Sequence, residues 1–156
     1  MMSAKKINYS IGSIISIRDD HGRELAVCRV EAMDGKGVVI GRFHVVDSSS
    51  IERDTKSLHC EFLWRFGDLN IVNGRWPIVG IAPIDESGAS LEFRFLGGVE
   101  SGTPWITTYD VCAMRTKEER IVGGLPPVLT RDSLKGAAFV EARLKQIVGG
   151  ERTPFD

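Results

Sequence analysis

Residues 9–43 constrain the fold more than any other stretch, because two turn signals divide them into three extended arms. The first two arms are residues 11–17 and 24–33, and the third begins at residue 37 and continues beyond the stretch to residue 46. Asp19-Asp20-His21-Gly22 follows the first arm, and its Asp and Gly residues suit the positive φ values of a hairpin loop. Asp34-Gly35 follows the second arm and is the strongest short-range hairpin signal in the sequence. The stretch therefore predicts a three-stranded β-meander, which must bury one face against another part of the chain.

Further strands are predicted downstream of the meander. Residues 58–66 alternate between apolar and other side chains, which favours a strand. Residues 69–84 predict two short strands joined by a type I′ turn at Asn73-Gly74, with Pro77 at a strand start, an edge or a bulge. Residues 90–95 alternate cleanly and predict a half-exposed antiparallel strand.

The last third of the chain predicts one more strand and one helix. Residues 105–114 have the β-branched and aromatic content of a strand, and residues 117–120 are predicted as a charged turn. A helix is predicted from about residue 131 to residue 148, with the Thr130 hydroxyl as its N-cap. Gly149-Gly150 is expected to end that helix.

Together these elements predict a single domain over residues 1–156, with flexible ends at residues 1–8 and 151–156. The predicted fold is mainly β, of the α+β class. It is a twisted antiparallel sheet or a partly open small barrel, with one C-terminal helix packed on it. A chain of 156 residues can bury a sizeable core without disulfides or a metal ion.

Composition bounds the possible partners and the compartment. The formal net charge of -1 argues against strong non-specific binding to nucleic acid or to an anionic membrane. No apolar run approaches the ~20 residues that span a bilayer. Cys28, Cys60 and Cys112 are odd in number and form no C-x-x-C pair, which predicts reduced thiols in a cytoplasmic protein. Cys112 alternates with apolar residues and is predicted to be a small buried hydrophobe.

The sequence carries no recognisable catalytic or metal-binding motif. His59 and Cys60 are adjacent, so a strand would point them to opposite faces, and no pair of ligands has structural zinc spacing. There is no nucleophile elbow, and Gly35-Lys36-Gly37 is a turn rather than a phosphate-binding loop. We therefore predict no catalytic residues, no metal site and no cofactor.

Two acidic pairs and one tryptophan are the candidate partner-binding residues. Asp19 and Asp20, and likewise Asp85 and Glu86, lie in predicted turns. Turn carboxylates are usually solvated and inert, but such loops also speed encounter with a cationic protein. Trp105 follows a flexible Gly-Thr-Pro segment and is the tryptophan most open to a role as a binding anchor, although tryptophans are more often core residues.

Two segments resemble a known family. The first is Tyr9-x-x-Gly12-x-Ile14-x-x-Ile17, followed by turn residues and then Ala26-Val27-Cys28-Arg29-Val30. The second is Gly74-Arg75-Trp76-Pro77-Ile78-Val79-Gly80. In their order and separation they resemble the immunity protein 26 family of bacterial polymorphic toxin systems. The chain departs from the family pattern at Ser13, at Arg18-Asp19 and at Cys28.

The resemblance implies a small, mostly β protein of the bacterial cytoplasm that binds and neutralises a cognate toxin. Such a protein performs no reaction and needs a rigid scaffold with a surface complementary to its toxin. One alternative is a small β-barrel module that binds nucleic acid or a peptide, as turn-linked strands with aromatic residues would suit. An enzyme, such as a hydrolase using turn carboxylates, is the third hypothesis, although no base, nucleophile and orienting group can be named together.

Overall fold

The computed structural model describes residues 6–45, 61–82, 92–124 and 129–155. In these ranges the chain forms a six-stranded sheet, a three-stranded sheet and two helices. The strands are β1 (Ser13–Arg18), β2 (Glu24–Met33), β3 (Val38–Val45), β4 (Glu61–Gly67), β5 (Ile78–Ile81), β6 (Phe93–Gly97), β7 (Trp105–Tyr109), β8 (Arg115–Arg120) and β9 (Leu134–Lys135). The helices are α1 (Leu69–Val72) and α2 (Ala137–Val148). The large sheet has the order β5-β1-β2-β3-β4-β9, and the small sheet has the order β6-β7-β8.

The predicted meander is confirmed as the antiparallel succession β1, β2 and β3. Both of its turns are built by an aspartate that accepts backbone hydrogen bonds two and four residues ahead. Asp19 Oδ1 accepts the amides of His21 and Arg23 at 2.9 Å each. Asp34 Oδ1 accepts the amides of Lys36 at 2.7 Å and Val38 at 3.0 Å. These contacts are the physical basis of the two hairpin signals in the sequence.

One face of the large sheet carries the main hydrophobic core. Alternate residues of β1 to β4 are buried there, as the sequence alternation predicts. Helix α2 closes this face with Val140 and Leu144, and Ile71 and Trp76 close it from the segment after β4. The sheet residues in this core are Ile15, Ile17, Leu25, Ala26, Cys28, Val30, Val39, Phe43, Phe62, Trp64 and Phe66.

The opposite face of the large sheet is covered at one end by the small sheet. Ala32 and Ile40 pack there against Phe93, Phe95 and Tyr109. A β-bulge turns Ala32 to this face, because the β2–β3 register shifts between Val30 and Ala32. In a regular strand those two residues would share a face, but the extra residue, Glu31, sends Ala32 to the second core.

The observed architecture confirms the predicted fold class. The described chain is mainly β, its sheets are dominated by antiparallel pairs, and α2 packs on the large sheet. The sheet is not closed, so the twisted-sheet alternative applies rather than the barrel. Gly149-Gly150 ends α2 as predicted. The amides of Gly150 and Glu151 donate to the carbonyls of Ile147 and Gln146, which is a Schellman motif with Gly150 at φ +77°.

The first of the two strands predicted over residues 69–84 is wrong, because that segment is the short helix α1. The amides of Ile71 and Val72 donate to the Asp68 carbonyl. Asn73 ends the helix, and Gly74 adopts φ +85°. The Asn-Gly pair thus terminates a helical turn, a role that a short apolar run cannot distinguish from a hairpin. The second strand is confirmed as β5, and Pro77 stands directly before it.

The strand predicted over residues 105–114 is confirmed over its first half, but its predicted end and the charged turn predicted at 117–120 are wrong. Strand β7 ends at Tyr109, and the chain turns through residues 110–114 into β8. The Asp110 carboxylate holds this turn by accepting the amides of Cys112 and Met114. Cys112 is therefore exposed rather than buried. All six residues of β8 are exposed, so no hydrophobic alternation marks it as a strand.

The predicted helix start near residue 131, with Thr130 as N-cap, is also wrong. Helix α2 begins at Ala137 after Gly136. The Thr130 hydroxyl donates instead to the Leu63 carbonyl at 2.5 Å. The residues before the helix are extended, and β9 pairs in parallel with β4. A local capping pattern is overridden here by pairing with a strand far away in the sequence.

The two chain ends make defined contacts in their described parts. The Ile7 amide donates to the Val72 carbonyl at 3.0 Å, and Phe155 packs against the main core. Their predicted flexibility stays a prediction, and residues 1–5 and 156 lie outside the described ranges. Among the helices of those ranges, none combines the length and the apolar character that crossing a bilayer requires.

Gly41 of β3 offers a test of this packing, because a Cβ there would overlap Cys28 Sγ and lie 2.9 Å from Phe66 Cε1. We expect Gly41→Ala to lower the free energy of unfolding by about 1–3 kcal/mol through overpacking. Adding Cys28→Ala should restore part of that loss, because it removes the sulfur that the new methyl group meets. Urea unfolding of the variants checks this, with Gly124→Ala as the control, since a Cβ at Gly124 meets nothing within 4 Å. Equal stability of the Gly41 and Gly124 variants would contradict the described core.

Candidate partner-binding surface

The face of the large sheet away from α2 carries a charged cluster beside the small sheet. Arg29 of β2 and Arg42 of β3 are directly opposite each other across the ladder. His44 of β3 is opposite Glu61 of β4 in the same way. Like charges on directly opposed residues destabilise a sheet, so the arginine pair requires a compensating group.

Glu31, the bulge residue of β2, supplies that compensation. Its buried carboxylate accepts hydrogen bonds from Arg29 Nε at 2.8 Å, from Arg29 Nη2 at 3.1 Å and from Arg42 Nε at 2.7 Å. Arg42 Nη1 also donates to Glu61 at 3.1 Å, and His44 Nε2 lies 3.6 Å from the same carboxylate. The hydrogen bond with Glu31 raises the pKa of Arg29. The two guanidinium groups are therefore held in place as cations.

These side chains form one wall of a cavity of about 280 Å³, which we name the arginine pocket. Its lining consists of Ile14, Val27, Arg29, Arg42, His44, Glu61 and Ala82. The pocket thus combines two guanidinium groups with apolar side chains of β1 and β2. Within the described ranges, Arg29 Nη1 and Arg42 Nη2 donate no hydrogen bond. The arrangement can donate hydrogen bonds to an added acceptor.

This cluster is not among the sites predicted from the sequence. Its sequence signal is weak: Arg29 and Glu31 are charged residues at alternate positions among the apolar residues of 25–33, and Arg42 and His44 repeat the pattern in the next strand. This pattern does not show how β2 and β3 are aligned. Only the pairing of β2 with β3, and the bulge, bring Glu31 between the two arginines.

The predicted acidic docking residues Asp19 and Asp20 lie in the β1–β2 turn, beside α2. Asp19 is buried, and its carboxylate is occupied by the amides of its own turn. Asp20 is exposed but lies 3.4 Å from Lys145 Nζ, and this hydrogen bond lowers the pKa of Asp20. The negative charge of Asp20 is therefore already balanced by a cation of the same chain. Asp85 and Glu86 lie outside the described residues.

Trp105, the predicted anchor, lies in the small sheet and is partly buried. Its indole Nε1 donates to Thr107 Oγ1 at 2.9 Å, and its ring lies against Gly97 and Gly98, where a Cβ would overlap it. No described contact joins Trp105 to Asp19 or Asp20, so these residues do not form one site. Their role in partner binding stays a prediction.

A second polar cluster joins the two sheets around Asp132. The buried Asp132 carboxylate accepts the Tyr109 hydroxyl at 2.9 Å and lies 3.4 Å from Arg65 Nε. Burial raises the pKa of Tyr109. Through Tyr109 and Arg65, the Asp132 carboxylate links the small sheet to the large one.

Nearby, Lys135 of β9 donates to Ser133 Oγ at 2.9 Å. Burial, helped by the charge of Arg65, lowers the pKa of Lys135 to about 8.

Among the described residues, no group of three or more His, Cys, Asp or Glu side chains is placed to hold a metal ion. Comparison of the chain with protein-family models, with curated proteins and with solved structures found no match. A function for this chain therefore has to be argued from its own residues and their arrangement.

The arginine pair can be tested through Glu31→Gln, which removes the anion between the two guanidinium groups. We expect it to lower the free energy of unfolding by roughly 1–3 kcal/mol, because charge-assisted hydrogen bonds are lost. Combining it with Arg42→Gln should cost less than the sum of the two single changes, since the like-charge pair is then also removed. Denaturant unfolding measures this cycle. Glu118→Gln, on exposed β8, is the control and should change stability by less than about 1 kcal/mol. Strict additivity at Glu31 and Arg42 would contradict the described network.

The lowered pKa of Lys135 predicts that the stability of the protein depends on pH. The native pKa of this side chain lies below the value near 10.4 expected for an unfolded chain, so the unfolded chain binds more protons between about pH 8 and about pH 10. The cost of burying the charged lysine is present below this window, and stability recovers as pH rises through it. Lys135→Met should remove this rise, whereas Lys36→Met, at an exposed turn, should keep it. Urea unfolding of wild type and both variants at several pH values across this window measures the effect. A difference between wild type and Lys135→Met that does not change with pH would contradict the prediction.

Proposed function

We propose that this protein is an immunity protein that binds and neutralises a cognate bacterial toxin by stoichiometric protein–protein binding in the cytoplasm. The observation that carries the proposal is the adjacency of the two segments that resemble the immunity protein 26 family. They are far apart in the sequence, but β1 of the first pairs with β5 of the second, with Ile14 opposite Gly80 and Ile15 opposite Ile78.

The residues that carry the resemblance also hold this unit together. The Tyr9 hydroxyl donates to Asp68 Oδ2 at 2.7 Å, directly after β4. Gly12 adopts φ +97°, and its carbonyl accepts the Ala82 amide at 2.8 Å. Trp76 is fully buried in the main core. Positions with such demanding structural roles form a coherent scaffold pattern, which supports a family likeness over a chance match of short motifs.

A neutralising protein needs a rigid surface on this scaffold, and the arginine pocket supplies a candidate. Ile14 of β1 and Ala82 after β5 line it, so it adjoins the unit that carries the resemblance. Its arginines are held in advance by Glu31, which reduces the entropy lost when a partner binds. In the described ranges Cys28 and Cys112 are free thiols, which fits a reducing cytoplasm.

Co-expression with the toxin encoded beside this gene tests the proposal. We expect the protein to restore growth of cells that make the toxin, and to co-purify with it at equal stoichiometry. An unrelated toxin of the same activity is the control and should remain lethal. Failure to protect at every expression level would refute the proposal. A salt-dependent mobility shift with oligonucleotides, in the absence of protection, would favour the nucleic-acid-binding alternative instead.

A further inference from the structure

The arginine pocket contains hydrogen-bond donors that the described chain does not use. Arg29 and Arg42 are each about one-third exposed, at 33% of the side-chain surface. Glu31 and Glu61 engage the Nε and Nη2 atoms of Arg29 and the Nε and Nη1 atoms of Arg42. No acceptor for Arg29 Nη1 or Arg42 Nη2 lies among the residues that the structure describes. Two fixed guanidinium groups on neighbouring strands form a ready receptor for an anionic oxygen pair.

We propose that the arginine pocket binds the carboxylate of an aspartate or glutamate side chain presented by a protein partner. The identity of that partner as a toxin rests on the proposed function, whereas the carboxylate site rests on the geometry of the pocket.

The size and lining of the pocket favour one carboxylate on a short apolar stem. Its volume of about 280 Å³ lies at the lower limit of small-molecule sites, which suits a side chain better than a cofactor. Ile14 and Val27 provide apolar contact for methylene groups beside the guanidinium groups. An acidic side chain satisfies both parts of the lining.

The charge balance of the pocket disfavours phosphate and nucleic acid. Glu31 and Glu61 already bring two negative charges to the two arginines, and Glu61 is 41% exposed at the pocket lining. No lysine lines the pocket in the described ranges. Glu61 repels any anion in the pocket, but the repulsion on a dianion is about twice that on a monoanion, and one carboxylate is enough to use the two remaining guanidinium donors.

Titration of the full-length ¹⁵N-labelled protein tests the site without any toxin. The probe is N-acetyl-aspartate N-methylamide, which has one carboxylate, and the readout is the Nε–Hε signals of Arg29 and Arg42. We expect saturable shifts with a dissociation constant on the order of 10 mM, as for a single charge-assisted contact. The neutral asparagine analogue should produce no saturable shift, and inorganic phosphate should bind more weakly. Absence of saturation, equal shifts with the neutral analogue, or tighter binding of phosphate would overturn the proposal.

A matched pair of variants at Val27 provides an internal competitor. Val27 shares the face of Arg29 and is diagonal to Arg42, within reach of a long side chain. Val27→Glu should occupy the site and weaken probe binding by at least about tenfold. Val27→Gln is the matched control with the same shape and no charge, and it should bind the probe at least about fivefold more tightly than Val27→Glu does. Equal probe binding by the two variants would overturn the proposal, and the wild-type titration remains decisive if either variant folds poorly.

The same pair separates this inference from the proposed function. If wild type protects cells, Val27→Glu should protect less well than Val27→Gln, which lacks the competing charge. If wild type does not protect, the proposed function fails while the titration still decides the carboxylate site. If both variants protect equally, the toxin does not use the pocket, and the partner-binding part of the inference is overturned.

Discussion

The buried carboxylate of Glu141 is the contact on which the arrangement of the other elements depends. It projects from α2 and accepts hydrogen bonds from Asn70 Nδ2 at 3.0 Å, from Arg75 Nε at 2.7 Å and from Trp76 Nε1 at 2.9 Å. A buried charge is tolerated only when such partners satisfy it, so the docking of α2 and the path of the chain from α1 to β5 are determined together. Trp76 then packs against Phe66, and β5 is delivered to the edge of β1. The edge of the sheet that adjoins the arginine pocket thus depends on a helix at the other end of the chain.

The β-bulge at Glu31 is the second constraint, and it links packing to the candidate site. Without it, Val30 and Ala32 would face the same core, and the small sheet would lose Ala32 from the surface that it covers. The same extra residue carries the carboxylate that holds Arg29 and Arg42 together. One irregularity in β2 therefore places Ala32 in the second core and Glu31 in the charged cluster beside it.

Sequence reasoning succeeded where the determining interactions are local. The two Asp-containing turns and the Gly149-Gly150 helix end depend on contacts within a few residues, and they were predictable. Strand β8 has no buried face, so no periodicity reveals it. Thr130 has the chemistry of a helix cap, but pairing with β4 and its neighbours keeps its segment extended. The arginine pocket depends on the register between strands, which neither composition nor spacing specifies.

The edges of the two sheets differ in a way that bears on partner binding. Strand β8 presents charged side chains of both signs, and β9 has two residues, so both are protected against the addition of a foreign strand. Strand β5 instead exposes Val79 and Ile81, at 52% and 71%, on either side of Gly80, which pairs with Ile14 of the pocket. In the proposed complex, these apolar side chains would be covered by the partner while its carboxylate enters the pocket. Apolar burial at the rim would supply affinity and exclude water, and the arginine pair would select a partner with an acidic residue at the matching position.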